Sequence, residues 1–247
     1  MKLSQQPLSA GLYLVATPIG SARDMTLRGL DILANATLIA AEDTRTARKL
    51  MEIHGVALNG RKVVAFHDHS GDNAVARLVD DVRSGASVAY VSEAGTPLIA
   101  DPGYELGFAM AAAGLPVTAA PGASAVLAAL AVSGLPTDRF AFVGFLPAAK
   151  AQRLGEIANL RDLPFTLVIY ESPKRVRELL GDLVQVLGGD REAVVCRELT
   201  KRFEEVMRGR LRDVLERIEA GNVKGEIVVL VGPGGSNEVT DDDVRAA

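Results

Sequence analysis

Two hydrophobic periods alternate along the chain. Leu12–Thr17, Leu38–Ala41, Lys62–Phe66, Ser87–Ser92 and Val117–Ala120 are short apolar or β-branched runs, too brief for buried helices, and are predicted as strands. Between them apolar residues recur at helical spacing, with Ala47, Leu50, Met51 and His54 forming one stripe and Val75, Leu78, Val79 and Val82 another. Strand and helix in alternation, joined by short links, predict a parallel sheet covered by helices. The second half repeats the scheme with strands at Phe140–Phe145, Thr166–Tyr170, Ala193–Arg197 and Glu226–Val231. Its helical stripes are Val176, Leu179, Leu180, Leu183, Leu187 and then Leu211, Val214, Leu215, Ile218. The expected architecture is therefore α/β in two lobes, residues 1–119 and 120–232, dividing where Ala119-Ala120-Pro121-Gly122 ends a strand at a turn dipeptide before an Ala-rich helix. Residues 233–247 read as a solvated tail.

Composition narrows the picture. With 48% hydrophobic residues over 247 positions the chain can bury a full core, but 4% aromatics and no Trp mean that core is built from Ala, Val, Leu and Ile. Cys196 is the single cysteine, which excludes an intrachain disulfide, suits a reducing compartment and reads as a small buried hydrophobe. No leader-like or membrane-spanning apolar stretch is apparent, so a cytoplasmic location is expected. The net charge of −4 weighs against a protein that coats nucleic acid by charge alone. Local basic clusters remain at Arg45, Arg48 and Lys49, at Lys174, Arg175 and Arg177, and at Lys201 and Arg202, each either a solvated face or a phosphate contact.

Ligands of open α/β sheets bind beyond the carboxyl ends of the strands, so the loops there carry the candidate chemistry. Thr17-Pro18-Ile19-Gly20 follows the first strand and fits neither a dinucleotide fingerprint nor a P-loop. The stretch from Ser92 to Gly103, SEAGTPLIADPG, holds two Pro, two Gly and two acidic residues in twelve positions: a rigid loop able to hold a nucleoside through its backbone, or a structural crossover with capping acids. Pro121-Gly122-Ala123-Ser124-Ala125 opens a helix with Ser124 as cap or ligand contact, and Tyr170-Glu171-Ser172-Pro173 sets a ring, a carboxylate and a hydroxyl at one strand end. His54, His67 and His69 lack metal-ligand spacing and no nucleophile elbow occurs, so no metal is expected.

These loops resemble the tetrapyrrole methylase superfamily, and within it the ribosomal RNA small-subunit methyltransferase I family. The resemblance rests on LYLVATPIG (12–20), IAAEDTRTARKL (39–50), VSEAGTPLIADPGYEL (91–106), PGASAVLAAL (121–130), SGLPTDRFAFVGFLP (133–147), YESPKR (170–175) and RELTKRFEE (197–205), in order over almost the whole chain. Ser21, Glu93 and Lys174 stand where the family often has Asn, Asp and His, and relatives are expected to continue past the position of Ala247.

The resemblance implies a mostly parallel N-terminal sheet and a mixed C-terminal sheet with a cleft between, S-adenosylmethionine as methyl donor, a homodimer, and 2′-O-methylation of a cytidine in small-subunit ribosomal RNA, free or within the ribosomal subunit. By motif position it implies a donor site of Pro18, Ser92, Glu93, Ala94, Gly95, Thr96, Ser124, Ala125, Tyr170, Gly225, Glu226 and Ile227. Transfer to a ribose hydroxyl calls for a proton acceptor, and Glu42, Asp43 and Glu93, after adjacent predicted strands, are the candidates, Asp43 and Glu93 favoured over Glu42 and His67. Arg45, Arg48, Lys174, Arg175 and Lys201 are the expected RNA contacts. Methylation of a small tetrapyrrole or corrinoid, and RNA binding without catalysis, are the competing readings.

Overall fold

A computed structural model describes residues 6–67 and 69–234. The expected tail lies outside the described residues beyond Gly234. The described residues form two compact units that divide between Ser124 and Ala125.

The first unit runs β1 (Gly11–Val15), a 3₁₀ turn (Ala22–Asp24), α1 (Leu27–Asn35), β2 (Leu38–Ala41), α2 (Thr44–Ile53), β3 (Lys62–Ala65), α3 (Gly71–Arg83), β4 (Ser87–Val91), α4 (Tyr104–Ala112) and β5 (Val117–Ala120). All five strands are parallel in the order β3-β2-β4-β1-β5. Alternate residues of each strand feed opposite cores. Val15, Ile39, Ala41, Ala89 and Val91 pack with Leu30, Leu33 and Met51 of α1 and α2, whereas Leu12, Ala40, Val88 and Tyr90 pack with Leu78, Val82, Leu106 and Met110 of α3 and α4. With helices on both faces, β4 is buried at every position, which is why its sequence is a continuous apolar run. Crossover helices return each strand in the same direction, so every carboxyl end emerges at one edge.

The second unit runs α5 (Ala125–Ser133), β6 (Phe140–Phe145), α6 (Lys150–Leu160), β7 (Thr166–Glu171), α7 (Val176–Leu187), β8 (Glu192–Arg197), β9 (Glu205–Arg210), α8 (Leu211–Ala220) and β10 (Ile227–Val231). Its sheet is mixed, in the order β6-β7-β10-β8-β9, with β6 and β7 parallel and the other neighbours antiparallel. Leu167, Ile169, Val195 and Val229 face α6, α7 and α8. The opposite face of β8, β9 and β10 meets α5.

Strand ends differ from expectation by one or two residues. Ala16, Thr17, Phe66 and Ser92 leave the sheet for the loops, while Gly11, Glu171 and Glu192 join it and Glu226 stays outside. The sequence pattern does not predict β9. Its sequence EVMRGR is half charged because it lies at the sheet's edge, where alternation is weak.

Arg153 is a buried cation that periodicity does not reveal. On α6 it is 2% exposed; its Nε donates to Asp182 of α7 at 2.7 Å, and its Nη1 donates to the Pro147 and Ala148 carbonyls at 3.2 and 2.9 Å. Lys150 approaches the other Asp182 oxygen at 3.6 Å from the solvent side. Arg153→Ala strands a buried carboxylate and is expected to lower unfolding free energy by about 3–5 kcal/mol in urea titrations. Arg153→Met combined with Asp182→Leu is expected to recover most of that loss, since the desolvation cost disappears with both charges.

Candidate functional site

Three loops at the carboxyl edge of the first sheet are tied together. Thr17 and Gly95 exchange backbone hydrogen bonds at 2.8 and 3.0 Å, bridging the loops after β1 and β4. Thr17 Oγ1 also reaches the Ser92 carbonyl at 3.5 Å. Thr96 Oγ1 donates to the Ala123 carbonyl at 3.0 Å, drawing in the turn after β5. Pro18, Ser92, Ala94, Gly95, Thr96 and Ser124 thus belong to one loop cluster, and Ala125 begins α5 directly after it. Leu98 and Ala100, in the continuation of the β4 loop, hold left-handed φ angles of 73° and 57°. Such backbone costs about 1–3 kcal/mol per residue and concentrates at functional loops.

The three acids meet at the same edge. The Glu93 N–H donates to Glu42 Oε2 at 3.1 Å, joining the ends of β2 and β4. Asp43 caps α2, accepting from the Arg45 and Thr46 amides at 2.7 and 3.3 Å, and pairs with the Arg45 guanidinium at 2.9 Å. The Arg45 side-chain bond, then the Arg45 amide, hold the Asp43 carboxyl down to about 2. Glu93 is exposed and acts on Arg45 through space. A carboxylate held that low accepts protons poorly near neutrality.

In the second unit, β10 runs antiparallel to both β7 and β8, so its first residue lies at their carboxyl ends. Ile227 stands opposite Glu171 on one side and Arg197 on the other. Tyr170 packs edge-on against Phe142 and Phe145, with centroids 4.8 and 5.7 Å apart. Glu171 is buried, accepting from the Ser172 amide at 2.7 Å with Arg175 3.4 Å from its other oxygen.

Glu198, which sequence reasoning missed, joins two of the expected residues, Lys201 and Glu226. Glu198 accepts from the Glu226 amide at 2.9 Å and from Lys201 Nζ at 3.0 Å, and Lys201 pairs with Glu226 at 2.9 Å. Glu198 and Thr200 are left-handed at φ 52° and 63°. Gly225, at φ +87°, lies so close that a Cβ there would run into the Glu198 carboxyl group. No glycine marks Glu198 or Thr200, so no sequence signal announces their backbone.

The expected RNA contacts divide into two kinds. Arg45 is 89% exposed in its side chain though paired with Asp43, and Arg48 and Lys174 are exposed. Arg175 donates to the Leu146 and Pro147 carbonyls at 2.9 and 3.0 Å, and Lys201 is held by its two carboxylates. His67 lies at the end of the β3 segment, exposed, its Nδ1 accepting from the His69 amide at 3.2 Å. Among the described residues no group of His, Cys, Asp and Glu could hold a metal, and no helix is long and apolar enough to cross a membrane.

Residues 11–215 match the family described as Tetrapyrrole (Corrin/Porphyrin) Methylases. The chain is 47% identical to the Mesorhizobium japonicum protein named ribosomal RNA small subunit methyltransferase I, over 94% of this chain and 78% of that one. It is also 47% identical to the protein of the same name from Mycobacterium tuberculosis, over 90% and 78% of the two chains. Among solved structures it resembles a cobalt precorrin-4 methyltransferase (TM-score 0.65, 17% identity, 90% and 94% coverage). It also resembles the Thermus thermophilus uroporphyrin-III C-methyltransferase complexed with S-adenosyl homocysteine (TM-score 0.59, 20% identity, 96% and 100% coverage).

Two measurements check this geometry. Carboxyl NMR is expected to find Asp43 titrating at about 2, and Arg45→Ala to move it up toward the ordinary value of 3.8. Because the folded-state value is depressed, the contribution of this cap is fully present above the unfolded-state value and is lost as pH falls toward 2. Gly225→Ala is expected to cost about 1–3 kcal/mol in chemical denaturation, and less in a Glu198→Ala background because the close neighbour is then gone.

Proposed function

Because the chain belongs to the tetrapyrrole methylases and, within them, to the ribosomal RNA small subunit methyltransferase I family, we propose that it transfers the methyl group of S-adenosylmethionine to the 2′-hydroxyl of a cytidine in small-subunit ribosomal RNA. The observation that carries this reading is the tying of the loops after β1, β4 and β5 by the Thr17–Gly95 and Thr96–Ala123 bonds. They present backbone groups with the carboxylates of Glu42, Asp43 and Glu93 at the same edge, which suits a nucleoside donor carrying a sulfonium. Pro18, Ser92–Thr96 and Ser124 are the residues of the first unit that would hold it. Bound there, the donor supplies an electrophilic methyl carbon.

What the protein adds is orientation and a proton acceptor. Holding the ribose oxygen in line with the methyl carbon replaces a bimolecular encounter with a positioned one, and no covalent enzyme intermediate is needed. Of the three acids, Asp43 is occupied by Arg45 and by its cap, and Glu42 by the Glu93 amide, so Glu93 is the best-placed acceptor for the hydroxyl proton. Arg48 and Lys174, exposed and outside those pairs, suit phosphate contacts better than Arg175 and Lys201. The ribosomal RNA reading has support at 42–47% identity, whereas the tetrapyrrole enzymes are 17–23% identical and speak for the fold. A cytoplasmic homodimer completes the proposal; Tyr104 and Phe108, stacked at 6.2 Å and exposed on α4, offer apolar surface for a second copy.

Incubating the protein with small ribosomal subunits and S-adenosylmethionine, then mapping ribose methylation by mass spectrometry, is expected to yield one new 2′-O-methyl cytidine. Methylation of a porphyrinoid instead, with none on the subunit, would reverse the assignment. In single-turnover assays at saturating donor and RNA, Glu93→Gln is expected to lose about 10²-fold or more, and Asp43→Asn, which keeps the cap, to stay within a few-fold.

A further inference from the structure

The sheet of the second unit carries an aromatic ledge whose outermost ring lies open to solvent. Phe142 stands opposite Val168, Gly144 opposite Ile169 and Phe145 opposite Tyr170, so Val143 is an extra residue in β6. Without this bulge, two-residue alternation would send Phe142 and Phe145 to opposite faces. With it, both join Tyr170 on one face, and Gly144 takes the left-handed φ of 72° at the irregularity. Helices α6, α7 and α8 cover the other face, and α5 lies over β8, β9 and β10. Phe145 is left 57% exposed, beside Tyr170.

The surrounding rim is basic. The loops that follow β6 and β7 lead to Lys150, with 67% of its side chain exposed, and to exposed Lys174 and partly exposed Arg175. The nearby acids are occupied: Glu171 is buried against Arg175, while Asp182 and Glu178 are turned to Arg153, with Lys150 also on Asp182. An open ring with cations around it fits a flat base flanked by phosphates better than it fits a cationic sulfonium.

We propose that this ledge is a stacking platform for an unpaired nucleobase of the substrate RNA, with Phe145 the ring against which the base lies and Lys174 beside its phosphates. The inference rests on the reading of the chain as an RNA methyltransferase. It adds the surface that would hold an acceptor strand next to Tyr170.

The chain has no Trp, so Phe145→Trp introduces a single indole. Its fluorescence is expected to be quenched on titration with a single-stranded oligoribonucleotide of the methylated region, and not by S-adenosylhomocysteine alone. Phe140→Trp, 41% exposed at the opposite end of β6, is the control and is expected not to respond. Phe145→Ala is expected to raise KM for small subunits by about 5- to 100-fold with donor affinity unchanged by calorimetry, and Phe145→Tyr to restore it. Equal quenching at both positions, quenching by S-adenosylhomocysteine alone, or an unchanged KM in a Phe145→Ala protein with wild-type thermal midpoint would overturn the platform. Wild-type turnover measured alongside separates the two levels: turnover with an unchanged Phe145→Ala KM removes the platform alone, and no turnover removes the functional reading with it.

Discussion

Parallel strands end with backbone groups pointing out of the sheet and no neighbouring strand to pair them, and in the first unit Thr17 and Gly95 meet that need for each other. Their reciprocal bond does more than satisfy two amides. It fixes the exit of β1 against the exit of β4, the central strand, and Thr96 extends the same restraint to the turn after β5. Loops held this way can present their remaining backbone groups to a ligand without first being ordered by it, which lowers the entropic cost of binding.

The second unit reaches a comparable result by other means. Its central strand β10 is antiparallel to both neighbours, so a strand start rather than a strand end lies at the shared edge. Glu198 accepts the Glu226 amide and holds Lys201, and it does so from a strained backbone that only the surrounding bonds can keep in place. The charges here are paired with one another, while those at Arg48 and Lys174 are exposed. That difference, more than residue type, separates cations that build the site from cations available to a phosphate.

Most of the architecture was legible because its causes are periodic. The apolar runs of β2, β5 and β6 match their strands end to end, and of the stripe Val176, Leu179, Leu180, Leu183 and Leu187 all but the partly buried Leu187 are in the core. The loop after β4 was legible through its Gly and Pro content. What escaped has no one-dimensional trace. Arg153 looks like any helical surface arginine, and its burial follows from Asp182, 29 residues away. Glu198 is left-handed without being glycine, and the bulge at Val143 hides in a run whose composition alone predicts an ordinary strand. Arg175 and Lys201, read as free cations, are committed to carbonyls and carboxylates that only folding brings near.

The charged outer strand β9 has one more effect. Arg208 and Arg210 sit on the margin of the second sheet, with Arg208 bonded across to the Val132 and Ser133 carbonyls. Charged side chains along an unpaired margin disfavour the docking of a foreign extended segment. An edge strand charged at half its positions thus disfavours the addition of further strands along that flank.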